Sequence, residues 1–124
     1  MFFIRKQSDS KETLSSDKHT MFLKGCELYI NNLKKQGKLI SAQPIERSGK
    51  IISGRTGAWK EVPFNETKEV IGGYYHILAN DLEEAIEIAK ANPEFEFNTD
   101  TRIEVRPVKM KEDTTGFVYP TKKE

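Results

Sequence analysis

His76 is the side chain best suited to acid/base chemistry. It lies in an apolar run over residues 70–78, where it alternates with Tyr74 and Leu78 on one face of a predicted strand. Because an unperturbed imidazole titrates at about pH 6.5, His76 could act as a general base near neutral pH. Tyr74, on the same face, would then contact the ligand. The alternative is a core histidine whose ring nitrogens bind a carbonyl or a carboxylate.

Glu104 and Arg106 form a second set of candidates. They are two residues apart in an alternating segment, so both project from the same face of a strand. An unpaired buried charge is costly, and a structural ion pair with Lys68 or Glu69 would satisfy them. In the functional alternative both contact a ligand, and Arg106 holds an anionic group by a two-pronged hydrogen bond.

Residues 54–68 are predicted to form a long loop that carries further candidates. Loops on a rigid scaffold commonly supply ligand contacts. Glu61 offers a carboxylate for proton transfer, and Phe64 and Lys68 would lie at the rim of a pocket. Trp59, the only tryptophan, could form an aromatic lid. Alternatively, Phe64 pins the loop to the core and Trp59 covers apolar surface.

No metal or cofactor site is predicted. One cysteine, Cys26, and two histidines cannot furnish a structural zinc site or an internal disulfide. Cys26 falls on the apolar side of a predicted helix and is expected to be a small core residue. The glycines lack phosphate-binding spacing, and no nucleophile–base–acid combination is present.

Composition limits the class of protein further. A chain of 124 residues favours one domain over 1–124, in which 109–124 is a charged tail. The net charge of +1 argues against a dedicated nucleic-acid binder, which needs a basic face. No apolar run approaches the roughly 20 residues of a membrane helix, and no signal peptide is recognisable. We therefore expect a cytoplasmic protein without nucleic-acid or membrane partners.

Apolar periodicity predicts the elements that would position these candidates. The first half of the chain is predicted to contain a strand over 1–5, a helix that starts at Ser16 or Asp17 and is capped by Gly37, and a strand over 39–45 that forms a hairpin with 51–53. The loop over 54–68 follows. The second half is predicted to contain a strand over 70–78, a helix that starts at Asn80 or Asp81 and ends at Asn92-Pro93, and a strand over 102–108. Gly72-Gly73 predicts a bulge or a close backbone approach.

This order predicts an α+β domain of the ferredoxin-like βαββαβ type, with an antiparallel sheet, both helices on one face and an extra hairpin and long loop. The other face would carry aromatic residues, one of Phe2 and Phe3 and one of Tyr74 and Tyr75. Such a face is an association surface that a symmetric dimer would cover. The alternative is exposure of that face to solvent.

The chain resembles the YCII-related family and, within it, the DGPF branch, roughly from the first predicted helix to Val108 and most clearly over residues 61–109. The resemblance rests on Glu61-Val62-Pro63-Phe64, Thr67-Lys68-Glu69, Gly72-Gly73-Tyr74-Tyr75 and Glu104-Val105-Arg106-Pro107-Val108. It implies a ferredoxin-like fold that pairs into a dimeric α+β barrel. Glu61-Val62 stands where the branch has Asp-Gly. Some relatives carry a His-Asp pair that is suspected to be an acid/base site. The position of His19 in the sequence loosely matches the histidine of that pair.

These observations favour a homodimeric small-molecule-binding protein, or an acid/base enzyme built on such a protein. The alternative is a non-catalytic interaction or regulatory module. The ligand is expected to be a small anionic metabolite that Arg106 holds while His76 or Glu61 moves a proton. The only other partner expected is a second copy of the chain.

Overall fold

The computed structural model describes residues 1–7, 13–63 and 69–120. This part of the chain contains two antiparallel sheets and three helices. The elements are β1 (Phe2–Lys6), α1 (Ser16–Lys35), β2 (Leu39–Pro44), β3 (Lys50–Arg55), β4 (Ala58–Pro63), β5 (Val70–Ile77), α2 (Leu82–Lys90), α3 (Glu94–Phe97) and β6 (Arg102–Val105). The larger sheet has the strand order β2-β5-β1-β6, and β3 pairs with β4 in a separate two-stranded sheet. The fold is therefore of the α+β class.

Side-chain caps begin the two longer helices. The Ser15 hydroxyl accepts a hydrogen bond from the backbone N–H of Lys18. The helix α1 therefore begins at Ser16, as predicted, while its N-cap lies one residue before the predicted capping residues. Asp81 caps α2 by accepting a 2.8 Å hydrogen bond from the N–H of Glu84, in agreement with the sequence. Each cap satisfies a backbone donor that has no partner within its helix.

Gly37 ends α1 as predicted. Its φ of 70° is the left-handed conformation that favours glycine. The N–H of Lys38 donates to the Leu33 carbonyl at 2.9 Å, and this contact closes the last turn of the helix. The sharp reversal carries the chain directly into β2.

Both longer helices pack on the same face of the four-stranded sheet, as predicted. The buried cluster joins residues of β1 and β5 to one residue from each helix: Phe2, Ile4, Leu33, Tyr75, Ile77 and Ala89. The Tyr29 hydroxyl donates to the Ile88 carbonyl at 2.6 Å and thereby connects α1 to α2. The alternate residues Phe3 and Tyr74, which are cross-strand partners, lie on the opposite face. This opposite side is called the open face below.

The predicted hairpin between 39–45 and 51–53 is wrong. β2 pairs with β5, and the partner of β3 is β4, which lies within the predicted loop. A two-residue turn at Thr56-Gly57 closes the β3–β4 hairpin, and Gly57 has a φ of 84°. The tight turn brings two local segments together, whereas β2 gains a partner with a matching buried face only by pairing with the more distant β5.

Two features of the C-terminal third of the chain also differ from the prediction. The last strand ends at Val105 rather than at residue 108, and the short helix α3 follows Pro93. Pro93 occupies the N-cap of α3, which suits a residue that lacks a backbone donor. Within 109–120, a bridge between Lys111 and Val118 closes a short turn.

The predicted irregularity at Gly72-Gly73 is confirmed. The register between β1 and β5 shifts so that Gly72 has no cross-strand partner in β1. Its carbonyl instead accepts a 2.9 Å hydrogen bond from the N–H of Ile45. A Cβ at Gly73 would lie 3.0 Å from the Gln43 carbonyl oxygen, so glycine allows the close approach of β2.

Within the described residues, no helix combines the length and apolar character needed to cross a membrane.

Candidate functional site

A cavity of about 450 Å³ lies between α1 and strands β2 and β5, on the helix side of the sheet. Its walls are mainly apolar and include Ile4, Phe22, Ile30, Ala42 and Tyr75. The volume lies within the range of roughly 300–1,000 Å³ that is typical of small-molecule sites. Space is available here because α1 and α2 pack on the centre of the sheet and α1 alone lies beside β2.

An ion pair forms the polar floor of this cavity. Lys6 Nζ lies 2.8 Å from Glu94 Oε1, and each side chain is only 11% exposed. The Asn98 amide donates to the same oxygen at 2.9 Å. Lys6 also lies 5.1 Å from the centroid of the Phe22 ring, a cation–π distance. The carboxylate is therefore held in one orientation by two donors.

Local structure places both members of the pair. Lys6 follows Ile4 by two residues on β1 and thus projects from the buried face. Glu94 begins α3, where its backbone N–H donates to the Asn92 side-chain oxygen at 2.9 Å. Because α3 starts immediately after Pro93, the carboxylate points back toward the cavity and Lys6.

Burial changes the protonation of several groups around the cavity. Burial raises the pKa of Glu94 above its ordinary value, while the Lys6 ammonium and the Asn98 amide act in the opposite direction. Burial also raises the pKa of the Cys26 thiol to about 12, so the thiol is protonated and a poor nucleophile near pH 7. The pKa of Tyr75 is likewise raised by burial, which keeps the phenol neutral.

His19 adds a polar group to the wall formed by α1. Its Nδ1 atom is buried and has no hydrogen-bond partner among the described residues. The imidazole ring lies 6.4 Å from the Phe22 ring, measured between centroids. The His19 ring therefore lies in the cavity wall with its Nδ1 atom shielded from solvent.

The arrangement is suited to binding a small molecule and to moving a proton. An apolar wall favours an apolar ligand body. Burial raises the pKa of the oriented Glu94 carboxylate above its ordinary value. The general acids and bases of enzymes occupy environments of this kind. Among the residues that the structure describes, no group of three side chains is arranged to hold a metal ion.

Two predicted site residues, His76 and Arg106, line a different and smaller cleft of about 290 Å³. This cleft lies between the end of β5, the start of α2 and the segment after β6, and Val108 and Met110 supply apolar surface. Burial lowers the pKa of His76, and the N-terminal ammonium acts in the same direction. His76 is therefore mainly neutral near pH 7.

Two more predicted residues, Glu104 and Tyr74, lie on the open face. Glu104 pairs with Arg5 at 3.3 Å and with Arg106 at 3.7 Å. Arg5 in turn lies 2.9 Å from Glu69, which forms a second ion pair with Arg102. Neither Glu104 nor Tyr74 lines either of the two cavities described above.

The remaining predicted residues are separate from both cavities or outside the described chain. Glu61 and Trp59 lie on β4, where Glu61 pairs with Lys50 at 3.4 Å in solvent and Trp59 is 63% exposed. Phe64 and Lys68 lie outside the described residues. The predicted loop therefore does not supply Glu61 or Trp59 to the larger cavity.

Sequence reasoning did not identify Lys6 or Glu94 as site residues. A signal for Lys6 was present, because it continues the alternation of Phe2 and Ile4 and so places a charge on the buried face. No comparable signal exists for Glu94. Its contact with Lys6 joins two segments that are far apart in the sequence.

The fold and the cavity define an α+β protein with helices on one face of an antiparallel sheet and a small-molecule-sized space under the first helix. The profile of the YCII-related domain matches residues 1–109. The chain therefore belongs to the YCII-related family, as the sequence motifs indicated. No match was found among curated proteins.

Proposed function

We propose that this YCII-related protein binds a small molecule in the cavity under α1 and that Glu94 acts on the bound molecule as an acid/base group. The observation that carries the proposal is the Lys6–Glu94 pair, which is held at 2.8 Å within a mainly apolar cavity of about 450 Å³. A buried ion pair adds little to the stability of a protein, because the cost of removing two charges from water offsets their attraction. The position of this pair at the floor of a cavity therefore favours a function in ligand binding or catalysis.

Proton transfer is the reaction type that such a site supports. The ligand's X–H bond would break with its electron pair left on the ligand, and the proton would pass to the Glu94 carboxylate. Return of that proton to a second position of the ligand restores the enzyme and consumes no co-reactant. The raised pKa of Glu94 reduces the free-energy cost of holding the proton between the two steps.

A fragment screen followed by amide NMR would test the binding site. Bound fragments should shift the amide signals of Phe22, Ala42 and Tyr75. Ala42→Leu should fill part of the cavity and weaken binding about tenfold or more, a loss of roughly 1.4 kcal/mol. Ser41→Leu is the matched control, because Ser41 is the partner of His76 and projects to the open face. Equal effects of the two substitutions would show that the cavity is not the binding site.

Turnover separates the enzyme from the alternative, a non-catalytic interaction or regulatory module. For any ligand that binds, solvent deuterium incorporation would report proton exchange at the carbon or oxygen that reacts. Glu94→Gln should abolish incorporation, while Lys6→Arg, which retains the cation, should preserve most of it. Binding without incorporation would support the module and not the enzyme.

A second candidate site is the cleft that His76 and Arg106 share, with a small anionic metabolite as its ligand. The proximity of both residues to one cleft of about 290 Å³ favours it. Arg106 offers a guanidinium that is 67% exposed, and its ion pair with Glu104 is long at 3.7 Å. If the anion binds here, His76→Ala and Arg106→Ala should abolish its binding while Ala42→Leu leaves it unchanged.

We also propose that a second copy of the chain covers the open face. Phe3 and Tyr74 are adjacent there, and Ile71 is 46% exposed. The strand order β2-β5-β1-β6, with α1 and α2 on the other face, supports a ferredoxin-like βαββαβ core into which β3 and β4 are inserted. Two such cores that pair through their open faces would form a dimeric α+β barrel.

Mass measurement in solution tests this dimer. The wild-type chain should have twice the monomer mass at micromolar concentration. Tyr74→Asp should convert it to a monomer, while Met21→Asp, at a residue of α1 that is 60% exposed, should not. A wild-type monomer at this concentration would refute the interface.

We also propose that the protein belongs to the DGPF branch of the family and that it is cytoplasmic. The Pro63-Phe64 and Gly72-Gly73-Tyr74-Tyr75 motifs support membership of the DGPF branch. A cytoplasmic location is supported by the single, unpaired Cys26. Fractionation of the native cells would test the location directly.

A further inference from the structure

The charges at the floor of the cavity under α1 indicate which ligands it selects. Lys6 and Glu94 cancel each other at 2.8 Å, so the floor has no net charge to offer a charged ligand. A buried ion is strongly disfavoured without a counter-charge, so an anionic or cationic group would have to break this pair in order to bind. A neutral ligand leaves the pair intact.

The other charged residues of the cavity give its wall a net negative charge. Glu27 and Glu46 are exposed, and Arg47, which also lines the cavity, is half-buried and donates a 3.2 Å hydrogen bond to the Gln7 carbonyl. Their sum is negative, and solvent screens the two exposed carboxylates. The wall therefore adds weak repulsion of anions and only weak attraction of cations.

The floor also indicates which polar group the ligand carries. The hydrogen bond from Asn98 and the contact with Lys6 both use Oε1 of Glu94. Oε2 of the same carboxylate is the oxygen that neither of these two contacts uses. A hydroxyl or amide N–H of the ligand would donate to this oxygen. The Phe22 and Tyr75 rings in the wall offer aromatic surface for the rest of the molecule.

We infer that the ligand of this cavity is a neutral, mainly apolar ring compound that carries a hydroxyl or amide N–H donor toward Glu94. This inference rests on the proposed small-molecule site and specifies its ligand class. It differs from the anionic ligand considered for the cleft of His76 and Arg106.

Four naphthalene probes of similar size test the inference by calorimetry or NMR titration near pH 7. 2-Naphthol is a neutral donor, 2-methoxynaphthalene lacks the donor, 2-naphthoate is an anion, and 2-naphthylmethylamine is a cation. For the wild-type protein, 2-naphthol should bind tightest, the methoxy compound several-fold weaker, and both ions at least about tenfold weaker.

A charge variant sharpens the test. Glu94→Gln leaves the Lys6 cation at the floor, so it should bind 2-naphthoate more tightly than 2-naphthol. The double variant Lys6→Gln/Glu94→Gln is the matched control, because its floor is again neutral and should restore the preference for 2-naphthol. If Glu94→Gln does not fold, the wild-type protein and the double variant together still decide the outcome.

The possible results separate this inference from the proposed function. Absence of binding by all four probes would refute the cavity as a site for molecules of this kind and, with it, the ligand class. Binding of the four probes with equal affinity would leave the site in place and overturn the ligand class. Preference for 2-naphthoate by the wild-type protein would likewise overturn it.

Discussion

Replacing Lys6 with methionine should leave the Glu94 carboxylate without its counter-ion in a place where each side chain is 11% exposed. Breaking a buried pair from one side costs about 3–5 kcal/mol, because the remaining charge is not compensated. Uptake of a proton by Glu94 limits this cost, so we expect about 2–4 kcal/mol for Lys6→Met near pH 7. The double variant Lys6→Met/Glu94→Gln carries no charge at this position. Its loss of free energy of unfolding should therefore be smaller than the sum of the losses of the two single variants.

A double-mutant cycle measured by urea unfolding gives the coupling energy of the pair. We expect more than about 2 kcal/mol for Lys6 and Glu94. The pair of Lys50 and Glu61 is the control, because its atoms are 3.4 Å apart but the side chains are 64% and 56% exposed. Such a surface pair should give less than about 1 kcal/mol. Equal coupling energies for the two pairs would refute the view that the cavity floor is a low-dielectric environment.

The pH dependence of the Lys6→Met variant has a defined sign. The pKa of Glu94 is raised in the folded protein, so the folded state binds a proton more readily than the unfolded state. Free energy of unfolding contributed by this group is therefore present at low pH and is lost as pH rises through the folded-state pKa. The penalty of Lys6→Met should accordingly be smaller at about pH 5 than at about pH 7. A penalty that grows on acidification would contradict this assignment.

Four further substitutions, one of them a control, test other parts of the structure. Gly73→Ala should lower the free energy of unfolding by about 1–3 kcal/mol, because its Cβ would lie 3.0 Å from a carbonyl oxygen of β2. Gly72→Ala, with no atom nearer than 3.8 Å, should change it by less than about 1 kcal/mol in the same urea assay, and equal losses would contradict the packing described. Tyr29→Phe removes the 2.6 Å hydrogen bond to a carbonyl of α2 and should cost about 0.5–1.5 kcal/mol, whereas an unchanged midpoint would mean that this bond does not stabilise the helix pair. The Arg102 hydrogen bonds lower the pKa of Glu69, so stability present above its ordinary value of 4.5 is lost as pH falls through the lowered folded-state value. Glu69→Gln should flatten that part of a plot of melting temperature against pH, and an unchanged slope would show that another carboxylate is responsible.

Local features were predictable from the sequence because they depend on residues that are neighbours in the chain. Gly37 ends α1 and Asp81 caps α2 through contacts within a few residues. The irregularity at Gly72-Gly73 was likewise visible, since paired glycines in an apolar run have few other uses. The order of the elements also predicted that both longer helices share one face of the sheet.

The pairing of β2 and the residues that line the cavity under α1 depend on contacts between distant segments. Residues 51–53 appeared to be the natural partner of β2 because they are close in sequence, yet β5 provides the matching buried face. Glu94 reaches Lys6 only because α3 returns the chain to the end of β1, where Lys6 lies. A helix of four residues after a proline has no periodicity from which this return could be predicted.

The separation of the β3–β4 hairpin from the four-stranded sheet has a consequence for how the protein unfolds locally. Its backbone ladder ends with its own two strands, and an isolated two-stranded hairpin is only marginally stable in water. The hairpin can therefore open while β1 and β5 retain their amide protection, as a small cooperative unit of low opening free energy. Amide hydrogens of residues 50–63 would exchange with solvent in excursions that leave the cavity under α1 assembled.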